Sequence, residues 1–372
     1  MNVLRYLQVN GTYIDLPLTL YLHPSYDGHN KEVFLMKRAK TLLLVFTLVM
    51  SMVLACACDS KKSNDGNGSN NNTANTSNTS SAKIKVGVVN NPPSESGYRE
   101  ANVKDMEAVF SAANGYELKT AYSLKNDDQL QAAQGFITEG VDYLLISAAE
   151  TTGWDEVLKK AKEAGIKVFL FDRMIDVDAS LYEAAVVSDM AKEGETAVNW
   201  LLSQNLPEYK VIHIQGAMGS DAQIGRTGAL DEQFASGKMT KVVQQTATWD
   251  EAEAKKIVES VINSGEDFNV IYAENDGMAK GAVAALDEAG ITHGVDGKVI
   301  VMGFDCNKWA LRELLAKKWN YDGQCSPFQA QIISDIIQGK KSITDKKIIN
   351  EEKGFDAKTL TQADIDTYGL GE

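Results

Sequence analysis

The chain has 372 residues, 44% of them hydrophobic, and a formal net charge of −14 at pH 7. An acidic chain repels nucleic-acid phosphates, so DNA and RNA are not expected partners. Of its four cysteines, Cys56 and Cys58 sit close together near the N-terminus. The remaining pair, Cys306 and Cys325, has no histidine nearby and makes no zinc site.

Residues 1–35 carry Pro17, Pro24, Gly28, His23 and His29 with no sustained period. They read as an upstream extension rather than structure, with Met36 as the expected start. Residues 36–55 begin with Lys37, Arg38 and Lys40, run almost wholly apolar over 41–53, and end in Leu54-Ala55 before Cys56. Positive charge holds such a start on the cytoplasmic side while the apolar stretch enters the membrane. The run is shorter than the roughly 20 apolar residues of a membrane span. It resembles a bacterial lipoprotein signal, which implies that Cys56 is lipidated and becomes the mature N-terminus. Cys58 is a weaker candidate, and a plain secretory signal or a short transmembrane helix are the alternatives. The implied location is extracytoplasmic, held to a membrane by acyl chains. Residues 56–82 follow as an Asn/Ser/Thr-rich tether; over 59–82 no large apolar side chain occurs, too little to fold.

The folded part is expected from residue 83. Residues 83–89 (KIKVGVV) form a β-branched strand, and 100–113 place Val103, Met106, Val109 and Phe110 at helical spacing. A strand over 116–122, a helix over 127–139, a strand over 141–146, an amphipathic helix over 154–164 stopped by Gly165, and a strand over 166–171 complete a first half. The rhythm restarts after Asp189. Helices are predicted over 191–203, 222–235, 251–263 and 277–289, with strands over 209–214, 241–246, 269–272 and 298–302. Continuous apolar strands alternating with helices are the mark of parallel sheets covered on both faces. The fold class is therefore α/β, with two doubly wound lobes.

In such folds ligands gather at the carboxyl ends of strands. Those ends carry Asp172-Arg173, Gln215-Gly216 leading to Gly225-Arg226, Trp249-Asp250, Asn275-Asp276, Asp305 and Gln324. The first strand is followed by Ser94-Glu95-Ser96-Gly97-Tyr98-Arg99. Carboxylates, amides and guanidinium forks satisfy sugar hydroxyls in pairs, and aromatic faces cover a ring's C–H side. Taken singly, Asp305 and Asn275 read equally well as helix N-caps and Asp172-Arg173 as a surface pair; the coincidence of many such ends carries the reading.

Phe171-Asp172-Arg173, Gly225-Arg226, Asn275-Asp276-Gly277-Met278 and Gly303-Phe304-Asp305 together resemble the type I periplasmic sugar-binding proteins of ABC transporters, the ribose and galactose-type group. Ser94 to Arg99, Thr152-Gly153-Trp154 and Phe171 to Asp176 resemble the galactofuranose-binding branch more closely. The resemblance implies sugar contacts at Asp172, Arg173, Arg226, Asn275 and Asp305. It further implies a stacking aromatic at Trp249, a polar hinge contact at Gln324, and first-lobe contacts at Glu95, Tyr98 and Arg99. Three departures leave the sugar open: Ser147 where the ribose group has Asn, Tyr98 where the galactofuranose branch has Trp, and Gln324 where that branch has an acidic residue. The implied lobes are 83–188 plus 325–349 and 189–324 plus 350–372, joined by a three-segment hinge.

The implied function is a binding protein, expected to be monomeric, that hands a monosaccharide to an ABC permease, with no cofactor and no metal. A sugar sensor feeding a histidine kinase or chemoreceptor is the alternative. An enzyme is not expected: the folded part has no Gly-x-Ser-x-Gly elbow, P-loop or Gly-x-Gly-x-x-Gly after its first strand, and only His213 and His293 as histidines. A carboxylate pair for glycoside cleavage stays open as the enzymatic alternative. Cys306 and Cys325 read as two small buried residues, or as a disulfide if their strand ends lie close enough.

Overall fold

The computed structural model describes residues 82–371 and, as backbone, the strands β1 (Tyr6–Val9) and β2 (Thr12–Asp15), which pair antiparallel. The expected signal segment, Cys56 and the expected tether up to residue 81 lie outside the described residues. Among the described residues no helix is long and apolar enough to cross a membrane.

The first lobe is built on β3 (Ile84–Asn90), β4 (Tyr116–Tyr122), β5 (Tyr143–Ile146), β6 (Lys167–Asp172), β7 (Ala184–Val187) and β13 (Lys347–Ile349), in the order β13-β7-β6-β5-β3-β4. Every neighbouring pair is parallel. Side chains alternate across each strand. Val86, Val88 and Leu145 join one buried cluster with Met106 and Ile333, while Val89, Leu144 and Ile146 join another with Phe136 and Leu158. The helices α1 (Gly97–Val109) and α2 (Asn126–Glu139) and the shorter α3 (Asp155–Glu163) supply Met106, Phe136 and Leu158, while Ile333 comes from a later helix over 330–337.

The second lobe has β8 (Lys210–Gln215), β9 (Thr240–Thr246), β10 (Val270–Ala273), β11 (Ile300–Asp305), β12 (Tyr321–Gln324) and β14 (Gly354–Asp356), in the order β14-β12-β11-β10-β8-β9. Its helices α4 (Met190–Ser203) and α5 (Asp221–Ala235) cover one face, and α6 (Glu251–Ser264) and α7 (Asp276–Glu288) the other. The α4–α5 crossing is close: a Cβ on Gly225 would lie 2.4 Å from the Met190 carbonyl carbon. The edge strand β14 runs antiparallel, so this sheet is mixed.

The α/β, two-sheet expectation holds. β1 and β2 lie in the stretch 1–35 that was expected to carry no structure. In the two lobes six short elements were not predicted: β7, β13, β14, α8 (Lys308–Leu315), α9 (Ala330–Ile337) and α10 (Gln362–Tyr368). Each has three to eight residues, too few to develop a clear period. They matter for topology, because the chain passes between the sheets after β7, after β12 and after β13.

The disulfide reading is corrected: Cys306 and Cys325 are free, buried thiols. Cys306 has φ 64°, which turns its side chain away from the extended strand direction. Cys325 Sγ lies 3.7 Å from Ser188 Oγ, toward the first interlobe crossing.

Candidate functional site

The carboxyl ends of both sheets face each other. The loop after β3 gives Glu95 and Ser96; the Ser96 hydroxyl caps α1 by accepting from Arg99 N at 3.1 Å. That cap fixes where Tyr98 and Arg99 project. The Tyr98 hydroxyl donates to Asp172 Oδ1 at 2.8 Å, spanning the strand ends of β3 and β6.

Asp172 is the hub of the first lobe. Its Oδ2 accepts from Arg99 Nη2 at 2.7 Å, Ser147 Oγ at 2.6 Å and Arg173 Nε at 3.1 Å. Burial alone would raise its pKa. The Arg99 and Arg173 guanidiniums, with the Ser147 and Tyr98 hydroxyls, overcome that penalty and hold the carboxyl well below the usual range. The Asp172 backbone sits at φ 68°, a left-handed conformation that L residues rarely adopt.

In the second lobe Arg226, on α5, donates from Nε to Glu193 Oε2 at 2.7 Å and from Nη1 to the Glu274 carbonyl. Its guanidinium lies 4.7 Å above the Phe304 ring and 3.8 Å from Asp305 Oδ1. Burial pushes the Asp305 carboxyl upward in pKa, with Arg226 opposing. Asn275 caps α7: its Oδ1 accepts from Met278 N at 2.8 Å. Its cap role and its place on the cleft coexist. Trp249 is buried at φ 69°, and its Nε1 has no partner among the described residues. The indole rests on the end of β8, where a Cβ on Gly216 would come within 1.9 Å of its ring.

These groups meet in one small cavity. Of the ten residues expected at the site, eight line it: Glu95, Tyr98, Asp172, Arg173, Arg226, Trp249, Asn275 and Asp305. Arg99 lies behind them. It is wholly buried, and Glu95, Asn90, Asn102, Ser147 and Asp172 take its donors. Gln324 stands apart, on a separate cavity of about 400 Å³ beside Asp189, Glu193 and Glu352. Met190, Ala222, Ser96 and Cys325 also line the small cavity and were not predicted. Met190 and Ala222 open the first turns of α4 and α5, after the caps Asp189 and Ser220. The strand-to-helix rule that found the polar residues extends to them.

The lobes are shut on this site. Thr151 N donates to the Gly219 carbonyl at 3.0 Å, and Met174 N to Asp221 Oδ2 at 2.8 Å. A Cβ on Gly97 would lie 1.9 Å from Asn307 Oδ1 across the cleft. The space among these groups is about 20 Å³, room for little more than a water. Glu95, Trp249, Asn275 and Asp305 also line a second cavity of about 330 Å³.

Comparison with known proteins follows the geometry. Residues 86–336 match the family model described as periplasmic binding protein domain. The fructose import binding protein FruE of Bifidobacterium longum (strain NCC 2705) is 32% identical over 342 residues, 88% of this chain and 98% of that protein. The galactofuranose-binding protein YtfQ of Escherichia coli (strain K12) is 37% identical over 212 residues, 55% of this chain and 66% of that protein. Among solved structures, the periplasmic binding protein component of the arabinose ABC transporter from Shewanella sp. ANA-3, bound to alpha- and beta-L-arabinofuranose, superposes with a TM-score of 0.69. It is 28% identical and covers 76% of this chain and 95% of its own.

Proposed function

The chain belongs to the periplasmic binding protein family, and from that premise we propose that it is an extracytoplasmic solute-binding protein that captures a monosaccharide between its lobes and delivers it to an ABC permease. The sugar is galactofuranose-like, galactose-like or related, in keeping with a relative named for galactofuranose and a similar structure bound to arabinofuranose. One observation carries the reading: polar strand ends and two aromatics from both lobes converge on a single buried cavity. Asp172, Arg173, Arg226 and Asp305 offer charge-assisted bonds to hydroxyls, each worth about 1.5–3 kcal/mol. Tyr98 and Trp249 offer faces for the ring, and Asn275 and Glu95 complete the contacts. Arg99 acts by holding Asp172. The lobes divide as 83–188 plus 325–349 and 189–324 plus 350–372, and they close as a hinge. The molecule acts as a monomer, by capture and release rather than chemistry.

A thermal-shift panel of D-galactose, L-arabinose, D-fructose and D-ribose tests this. At a hundredfold excess over Kd a ligand adds about 2.7 kcal/mol of stability. At least one of these sugars is expected to raise the melting temperature. No shift with any of them would count against the reading.

Arg173→Ala is expected to weaken sugar binding by at least roughly tenfold, about 1.4 kcal/mol. The apo fold should survive, because Arg99 still neutralises Asp172. Unchanged affinity returns Arg173 to a purely structural partner of Asp172.

We further propose a lipid anchor at Cys56, with residues 1–35 as an upstream extension, 36–55 as the signal and 56–82 as the tether. Mass spectrometry of membrane-extracted protein should find a diacylated Cys56 at the N-terminus. A soluble mature form unaffected by Cys56→Ser would refute the anchor.

A further inference from the structure

The chain crosses between the lobes three times, and one side chain touches all three crossings. Glu352 follows β13 on the third crossing. Its Oε1 accepts from Ser188 Oγ of the first crossing at 2.6 Å and from Ser326 N of the second at 2.6 Å. Its carboxyl also faces Glu193 of α4. A carboxylate oxygen of Glu193, a carboxylate oxygen of Glu352 and the Cys325 Sγ all lie within 4.8 Å of one another. Glu193 Oε1 is buried with no hydrogen-bond partner, while Oε2 holds Arg226 Nε at 2.7 Å. Arg226 lines the ligand cavity. A continuous path therefore runs from the three crossings through Glu352, Glu193 and Arg226 to the cleft.

The buried Glu193 carboxyl and the part-buried Glu352 carboxyl facing it cannot both be ionised cheaply; a proton on Glu352 removes the repulsion and can be offered to the orphaned Glu193 oxygen. The surrounding charges do not supply an alternative. Lys192 Nζ pairs with Glu195 at 3.0 Å, and Lys353 Nζ lies 4.1 Å over the Tyr368 ring and 3.6 Å from Asp364. Asp189 caps α4. Glu351 lines the same hinge-side cavity as the pair and adds negative charge. Cys325 is kept a neutral thiol by burial and by the same two carboxyls. Among the described residues Arg226 is the one cation bonded to the pair, and of the two carboxyls it binds only that of Glu193.

We propose that Glu352 carries a proton against Glu193 in the closed form, and that this proton couples the hinge to the cleft, so that ligand is held more tightly as the surroundings turn acidic. The proposal deepens the solute-binding reading and rests on it. Burial, with Glu193 next, pushes the Glu352 carboxyl far above its usual range. Opening the hinge lets water reach the pair and lowers that value. A group whose pKa is raised in the closed form favours closure below that value and loses the effect as pH rises through it.

The test titrates the full chain with D-galactose and L-arabinose between pH 6 and pH 9, in buffers of different ionisation enthalpy. The wild type should take up as much as one proton on binding and lose about tenfold or more in affinity toward pH 9, tenfold being the equivalent of one pKa unit. Glu352→Gln, which keeps a permanently neutral amide, should abolish that loss and the proton uptake. Ser188→Ala, which removes a donor to the ionised carboxylate, should move the midpoint upward. Small-angle scattering of the ligand-free protein gives a second readout. The wild type should expand as pH rises, and Glu352→Gln should not. That arm decides the proposal even if neither sugar binds, an outcome that would instead count against the solute-binding reading. A pH dependence that persists unchanged in Glu352→Gln would overturn the proposal and move the proton to Asp305, Asp276 or Asp322, buried carboxyls with raised pKa.

Discussion

Asp172→Asn is expected to destabilise the folded protein by about 3–5 kcal/mol, the range for removing one partner of a buried ion pair. The asparagine fills the same space but leaves Arg173 without its carboxylate and Arg99 with Glu95 alone. It also loses the acceptor pair that orders Tyr98 and Ser147. Urea unfolding of both proteins measures the difference. The pH dependence follows from the same geometry. A carboxyl held below its unfolded value contributes stability above that value, about 3.8 for Asp, and loses it as pH falls through the folded value. The wild type should therefore lose this share of its stability only in strong acid, and Asp172→Asn should lack that acid limb. A change under about 1 kcal/mol would mean that the cluster behaves like an exposed ion pair.

Trp249→Ala is the second large effect. Truncating a central buried aromatic at a binding surface costs at least about 2 kcal/mol, or roughly 30-fold in affinity. Saturating sugar should change the intrinsic fluorescence of the wild type, and the variant should lose most of that change. Trp154 and Trp319 are buried in the lobe cores and provide a constant background. Gly216→Ala offers a milder version, because its methyl meets the Trp249 ring. If Trp249→Ala kept both the response and the affinity, Trp249 would be a packing residue only.

The strand-end rule and the two periodicities carried most of the fold and most of the site. Asp172, Arg226 and Asp305 were legible because each ends or follows an apolar strand. What stayed hidden was side-chain direction. Register pairs Asp305 with Gln324, and extended neighbours at one register point to one face. Asp305 departs from extended geometry at φ 114°, so it turns to the cleft while Gln324 lines the hinge side. Arg99 could not be told from a ligand contact by spacing. Only the packed structure shows Asn90, Asn102 and Ser147 consuming its donors. The Glu193–Glu352 pair joins residues 159 positions apart through the unpredicted strand β13, and no local pattern announces it.

A crystal structure of the full chain with the sugar that stabilises it most is the most direct test of the central claim. The account predicts one sugar ring between the lobes, stacked against Trp249 and hydrogen-bonded by Asp172, Arg173 and Arg226, in a cavity larger than the present 20 Å³. Density for the sugar on the outer surface of one lobe, with this cleft still shut and unaltered, would contradict it.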